Sequence, residues 1–264
     1  MNNLTDEFVI AVYPFLASLP RLIGLFVVIP LFGRRTVRGI IRNEFILVLA
    51  VFIYPLAAST AHQHLLVPLS YLLIAIKEAL IGVTLGFFMG TVFWVAENVG
   101  YLIDLQTGTQ NATVFNPVHE HEEGPMAGFM LQWVVALVLA GGGLLAILEI
   151  VFESYRVWPI YDAAPRWNEA FKLSVSARAD NLFATTLRFA APMIILLLLV
   201  EFGLGLVNRF ADQLDVYTLA MPLKSMVAFF VLMLTLSFLY DSVKGLLLFD
   251  SGVLRVLKES LGGR

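Results

Sequence analysis

Between Ile74 and Gly90 the chain reads IAIKEALIGVTLGFFMG, which sets Lys77 and Glu78 midway through one of its longest apolar tracts and follows them with Gly82, Gly86 and Gly90. A charged pair at such a place is expensive in hydrocarbon and persists only where its helix faces protein or water. The tract therefore marks a membrane protein whose function runs through its interior. The three glycines fall at i, i+4 and i+8, on one helix face, where they let another helix backbone approach closely. A hinge is the alternative use of the same residues.

Hydrophobic residues make up 59% of the 264 positions and charged residues 14%, against roughly 25% charged in soluble domains. The surroundings of this chain are thus largely lipid or other apolar protein. A net charge of -3 with scattered basic residues offers no stripe for nucleic acid, and the lack of cysteine removes disulfides, thiolate metal sites and Cys nucleophiles. No linker or repeat divides the sequence, so one domain over 1–264 is expected. The first residues, MNNLTDEF, carry acids instead of a positive n-region, and the apolar stretch after them is too long for a signal peptide; it is expected to remain as a helix.

Apolar segments fall at about 8–32, 43–58, 65–103, 126–152, 183–208 and 219–249. Crossing a bilayer takes about 20 helical residues, so most of these can cross once. As a helix, 65–103 would run roughly 58 Å, nearly twice the hydrocarbon thickness, so it either folds back near Pro68 to Glu78 or projects beyond the membrane. Arg34, Arg35, Arg38 and Arg42 put the loop after the first segment in the cytoplasm by the positive-inside bias, and the N-terminus outside. Were 65–103 a single crossing, the acidic loop with Asp104, Glu120, Glu122 and Glu123 would be cytoplasmic. The basic region with Arg156, Arg166, Lys172 and Arg178 would then be outside, again against the bias. A hairpin, or a helix that never crosses, repairs both and puts the tail with Arg255, Lys258 and Arg264 inside.

Arg21 lies inside the first segment, and Arg188 and Glu201 in or at the edge of the fifth. About 20 Å of helix separates the last two, so each needs a partner elsewhere, with neighbouring chains as suppliers. Lys77 and Glu78 point about 100° apart and are expected to reach different neighbours. They read as a subunit-interface ion pair, a pore lining or a proton relay, with snorkelling as the plain alternative. Prolines at 14, 20, 30, 55, 68, 192 and 222 add breaks, which against lipid would leave backbone groups unsatisfied. Helices buried in an assembly meet all these demands.

Between two long helices, Gly108, Asn111, Asn116, Pro117, Gly124 and Pro125 favour irregular backbone. The run His119-Glu120-His121-Glu122-Glu123 has metal-ligand chemistry but no HExxH spacing, and reads as a solvated acidic tip, so no metal site is assigned. Gly141-Gly142-Gly143 reads as a break in the fourth segment or a close backbone approach. Residues 154–180 mix apolar and basic side chains, suiting a membrane surface, another component or a plain connection. The tail at about 250–264 reads as a short amphipathic helix ending at Gly262-Gly263. No GxSxG, Walker loop, GxGxxG or HExxH is present, so an enzyme is not expected. A stand-alone polytopic secondary transporter or channel using Lys77, Glu78, Arg188 and Glu201 is the alternative, although no corresponding pair of broken helices is read in two halves.

The run KEALIGVTLGF (77–87), the loop LQTGTQNATVFNP (105–117) and the block RFADQLDVYTLAMPLKS (209–225) resemble the FliR/SpaR/YscT family, the T subunit of the type III secretion export gate. The resemblance covers nearly the whole chain. In the last block Gln213, Leu214, Val216, Pro222 and Lys224 match, whereas the family's Pro-Gln-Leu-Asn-Val-Phe stands here as Asp212 to Tyr217, with Asp212 and Asp215 as the departures.

This resemblance implies an all-α, integral membrane-type protein of helical hairpins, similar to an R and an S subunit fused. It would be built with R and S subunits into a helical export-gate ring and would not form a simple spanning bundle. It implies a non-enzymatic channel part without cofactors, in the bacterial inner membrane, with much of the assembly on the periplasmic side. Expected partners are the R and S subunits, the U subunit, an inner rod or adaptor protein, and the secreted polypeptides of a flagellum or virulence system. A plug loop is implied at about 105–125, carried by Gln106, Thr107, Gly108, Thr109, Gln110, Asn111, Phe115, Asn116 and Pro117. An ordinary exposed connection is the other reading of that loop. Arg21, Lys77, Glu78, Arg188, Glu201 and Lys224 are the buried-charge and subunit-interface candidates.

Overall fold

A computed structural model of the chain describes residues 2–33, 37–58, 68–109, 124–162, 169–210 and 216–248. Every element among the described residues is helical: α1 (Asn2–Val28), a 3-10 turn (Pro30–Phe32), α2 (Gly39–Ala58), α3 (Pro68–Thr107), α4 (Pro125–Ala140), α5 (Gly143–Val157), α6 (Glu169–Phe210) and α7 (Val216–Leu248). Three are long and apolar enough to cross a membrane, within Gly39–Ala58, Tyr71–Thr107 and Phe171–Phe210, and the α4–α5 pair makes a fourth if counted as one broken span.

Proline sets several boundaries. Pro68 and Pro125 open α3 and α4 at the first helical position, where a missing N–H costs nothing. Pro14, Pro20, Pro55, Pro192 and Pro222 lie inside helices instead of ending them. The freed acceptor at one of them is reused: Pro20 has no N–H for the carbonyl of Leu16, which takes the Tyr71 hydroxyl at 3.3 Å.

α3 is one unbroken helix of 40 residues, roughly 60 Å long. The fold-back that the sequence permits near Pro68 to Glu78 is absent; α3 is continuous and longer than the hydrocarbon layer. α6 also exceeds its apolar segment, beginning at Glu169 and not near 183. The fourth apolar segment is cut at Gly141–Gly142 into α4 and α5. Gly142 makes the corner, with φ 77°, a conformation that non-glycine residues adopt at a cost of roughly 1–2 kcal/mol. A Cβ there would meet nothing within 4 Å. Gly142→Ala is therefore expected to lower the stability of the purified assembly by only about 1 kcal/mol, read as a small drop in Tm, through backbone strain without a clash.

The described residues form two compact units, one from 2–91 with 142–178 and one from 92–141 with 179–248. In the first, α1 packs on α2 through a ring cluster, Phe26 edge-on to Phe32 at 4.4 Å and Phe32 stacked on Phe45 at 5.4 Å. Leu22, Leu25, Ile53, Ile81 and Leu85 are buried with them, and Ile147, Ile150 and Val151 form the buried stripe of α5. In the second, α3 buries Val92, Val95, Val99 and Ile103, and α4 buries Ala127, Met130, Val134 and Val138, at the spacing of single helix faces. Gly100 admits α4 at contact distance: a Cβ there would lie 2.5 Å from Ala127 Cα.

Candidate functional site

In the first unit a knot of charge ties α1, α3 and the turn after α5. Arg21 is 1% exposed and Glu78 not at all. Arg21 Nε donates to Glu78 Oε2 at 2.6 Å, Nη1 to Ser154 Oγ at 3.3 Å and Nη2 to the Trp158 carbonyl at 2.8 Å. Its guanidinium also lies over the Tyr155 ring, 4.1 Å from the centroid. Lys77 Nζ stands 3.0 Å from Glu78 Oε1 and donates to the carbonyls of Ile160 at 2.6 Å and Asp162 at 3.0 Å. Tyr155 in turn donates to the Ser18 carbonyl at 2.7 Å.

Two cations thus share one carboxylate, and the surplus charge is met by carbonyl oxygens. Those oxygens are available because α5 has just ended, leaving acceptors that no helical N–H reaches. A planar guanidinium fork can serve a carboxylate, a hydroxyl and a carbonyl at once, which an ammonium cannot do in the same geometry. Burial pushes the neighbouring Tyr161 phenol up to about 12, so it stays uncharged.

Glycines let this knot close. A Cβ on Gly82 would collide with the carbonyl oxygen of Arg21, and one on Gly86 would sit 2.8 Å from Val28 Cβ and 3.0 Å from the Leu25 carbonyl. Gly90 is buried further along α3. Two residues before it, the Phe88 carbonyl accepts from Arg178 Nη2 at 2.7 Å.

The second unit has its own polar site where α3 ends. Gly108, at φ 78°, turns the chain out of the helix, and its N–H returns to the Asp104 carbonyl at 3.0 Å. The buried Asp104 carboxylate accepts from the Thr109 hydroxyl and from the first backbone amides of α4. On the other side Lys224 of α7 pairs with Glu201 of α6 at 3.1 Å, and its Nζ lies 3.5 Å from the Gln106 carbonyl. A groove of about 420 Å³ is lined by Gln106, Thr107, Gly108, Glu201, Met221 and Lys224.

The structure thus brings Gln106, Thr107, Gly108 and Thr109 together with Lys224 and Glu201, and Arg21 together with Lys77 and Glu78. Where the sequence points to neighbouring chains for these partners, Arg21, Lys77, Glu78 and Glu201 have them within the chain. Arg188 is exposed on α6 and makes no ion pair among the described residues. Gln110, Asn111, Phe115, Asn116 and Pro117, the His119 to Glu123 run, Gln213, Leu214 and the tail lie outside the described residues. Val216 opens α7 and Pro222 lies within it. Among the described residues no group of three His, Asp or Glu side chains could hold a metal. Sequence reading does not single out Ser154 or Tyr155, and it assigns Asp104 to the acidic loop, whereas Asp104 is buried in the last turn of α3. For Asp104 a signal exists, since an acid in the last turn of a helix opposes the macrodipole and calls for a tertiary partner.

Long apolar helices with ion pairs buried among them define a polytopic membrane protein. The chain belongs to the bacterial export proteins, family 1, whose family model matches residues 12–248, and within it to the FliR/SpaR/YscT group. It is 31% identical over 217 residues to the Yop proteins translocation protein T of Yersinia pestis, covering 82% of this chain and 83% of that one. It is 28% identical over 264 residues to the flagellar biosynthetic protein FliR of Bacillus subtilis, covering 99% of both. To the surface presentation of antigens protein SpaR of Salmonella typhimurium it is 28% identical over 218 residues, 82% of this chain and 80% of the relative.

Proposed function

We propose that residues 1–264 act as one structural and gating subunit of a type III secretion export gate. With R- and S-type subunits the chain forms the inner-membrane channel through which unfolded proteins are secreted. The observation that carries this reading is the family match across 12–248, with relatives named for translocation and flagellar biosynthesis.

Helix length supports assembly. Lipid covers roughly 30 Å of a helix, while α3 runs about 60 Å, so its remaining apolar surface needs protein. α6 has only 17% of its most apolar window buried, and Phe183, Leu187, Leu199, Phe202 and Phe210 are exposed along it. Arg188, exposed on the same helix, is the charge for which a neighbouring subunit supplies the partner. Gln106, Thr107 and Thr109 border the conduit at the root of the plug. The U subunit and an inner rod or adaptor protein are further partners, with much of the assembly on the periplasmic side. The chain performs no catalysis. A lone transporter with a coupled-ion site of Lys77, Glu78, Arg188 and Glu201 is disfavoured, because Lys77 and Glu78 are engaged with Arg21, and Glu201 with Lys224.

Co-expression tests this directly. The chain alone in detergent is expected to be polydisperse, and with R- and S-type subunits to elute as one large complex. Deleting 106–116 in that complex is expected to let ions and small molecules leak across the membrane. A monodisperse single chain that binds a small solute would instead establish the transporter.

A further inference from the structure

Asp104 is fully buried in the final turn of α3, the helix end at which the backbone dipole disfavours a carboxylate. The next helix explains it. Asp104 Oδ2 accepts the Ala127 N–H at 2.8 Å, and Oδ1 accepts the Met126 N–H at 3.2 Å, so the carboxylate caps the positive end of α4. Oδ1 also accepts the Thr109 hydroxyl at 2.8 Å. Thr107 donates back to the Asp104 carbonyl at 3.1 Å, with its Oγ1 3.1 Å from that of Thr109. One side chain therefore grips the end of α3, the turn beyond it and the start of α4.

The surrounding backbone is cut to admit it. Any Cβ on Gly124, the residue before α4, would overlap the Asp104 carboxylate, and Gly108 takes the left-handed conformation that brings Thr109 back over it. Glutamate would not fit beside Gly124, whose missing side chain already leaves no spare volume. Asparagine would turn an NH₂ toward one of three converging donors.

We propose that Asp104 is the positioning residue of the conduit-facing turn: by clamping Thr107–Thr109 to the first turn of α4 it sets where Gln106, Thr107 and Thr109 stand. This rests on the reading above that this turn borders the conduit. Lys224, reaching the Gln106 carbonyl from α7, steadies the same turn from its other side.

The test uses the co-expressed complex, with two readouts: amide hydrogen exchange of the peptide holding Met126 and Ala127, and passage of ions and small solutes across the membrane. Asp104→Asn is expected to speed exchange at these amides at least ~10-fold and to make the membrane leak several-fold above wild type, with complex yield kept within about twofold. Thr109→Val cuts only the tie to the turn, so it should leave exchange at Met126 and Ala127 near wild type and still leak; it also carries the test should Asp104→Asn not assemble. Unchanged exchange in Asp104→Asn overturns the proposal. So do Asp104→Asn and Thr109→Val complexes that stay tight while the 106–116 deletion leaks. A deletion that itself stays tight removes the conduit reading and the proposal with it, a failure that the deletion alone identifies.

Discussion

Replacing Glu78 by alanine is expected to abolish recovery of the folded subunit from membranes. The substitution leaves Arg21 and Lys77, two cations in a nearly dry interior, without their shared carboxylate. Removing one member of a buried pair costs about 3–5 kcal/mol, a large share of the roughly 5–15 kcal/mol that holds a protein folded. The carbonyls of Trp158, Ile160 and Asp162 remain, but carbonyl dipoles do not neutralise a net charge. The measurement is the yield and Tm of the complex co-expressed with R- and S-type subunits. Arg21→Met and Lys77→Met together with Glu78→Leu should recover much of what Glu78→Ala loses, because exchanging a whole buried ionic cluster for apolar side chains of similar size is often neutral. A wild-type yield for Glu78→Ala would show that the knot contributes little.

Gly82→Val should be nearly as damaging, through geometry. The new Cβ meets the Arg21 carbonyl oxygen, a backbone atom that no rotamer change can move aside. α1 must therefore shift away from α3. Overpacking of this kind costs about 1–3 kcal/mol, and here the shift also withdraws Arg21 from Glu78. Since both substitutions strike one knot, Gly82→Val combined with Glu78→Ala is expected to cost less than the two losses added. Val83→Leu, at the next and exposed position, is the control and should leave yield unchanged.

How far the sequence alone reaches follows from what kind of signal each feature leaves. Local pattern exposes the apolar segments, the expense of Lys77 and Glu78, the glycine face at 82 and 86, and the interruption at Gly141–Gly142. Pairing is a tertiary fact, and nothing within α1 announces that Arg21 meets Glu78 or that a turn near Trp158 will supply acceptors. The early start of α6 is missed because residues 169–182 are helical but polar, and a reading keyed to apolarity passes over them. For α3 the sequence leaves a fold-back and a single projecting helix both open: charge counting in loops admits a hairpin, while the Pro-initiated run without internal proline favours one rod. At the end of α3 the glycine and threonine pattern 107–109 is visible as a turn, but its clamp to α4 depends on Asp104 meeting amides more than twenty positions away.

The ionic knot also imposes a schedule on biosynthesis. Glu78 emerges 57 residues after Arg21, and Ser154 and the Trp158 carbonyl 133 and 137 residues after it. At roughly 5–20 residues per second, the guanidinium waits on the order of ten seconds or more before its full set of acceptors has left the ribosome. Throughout that interval the nascent first helix is a half-fastened cation entering the insertion machinery, open to capture by whatever anionic or carbonyl-rich surface the membrane offers before its own chain catches up.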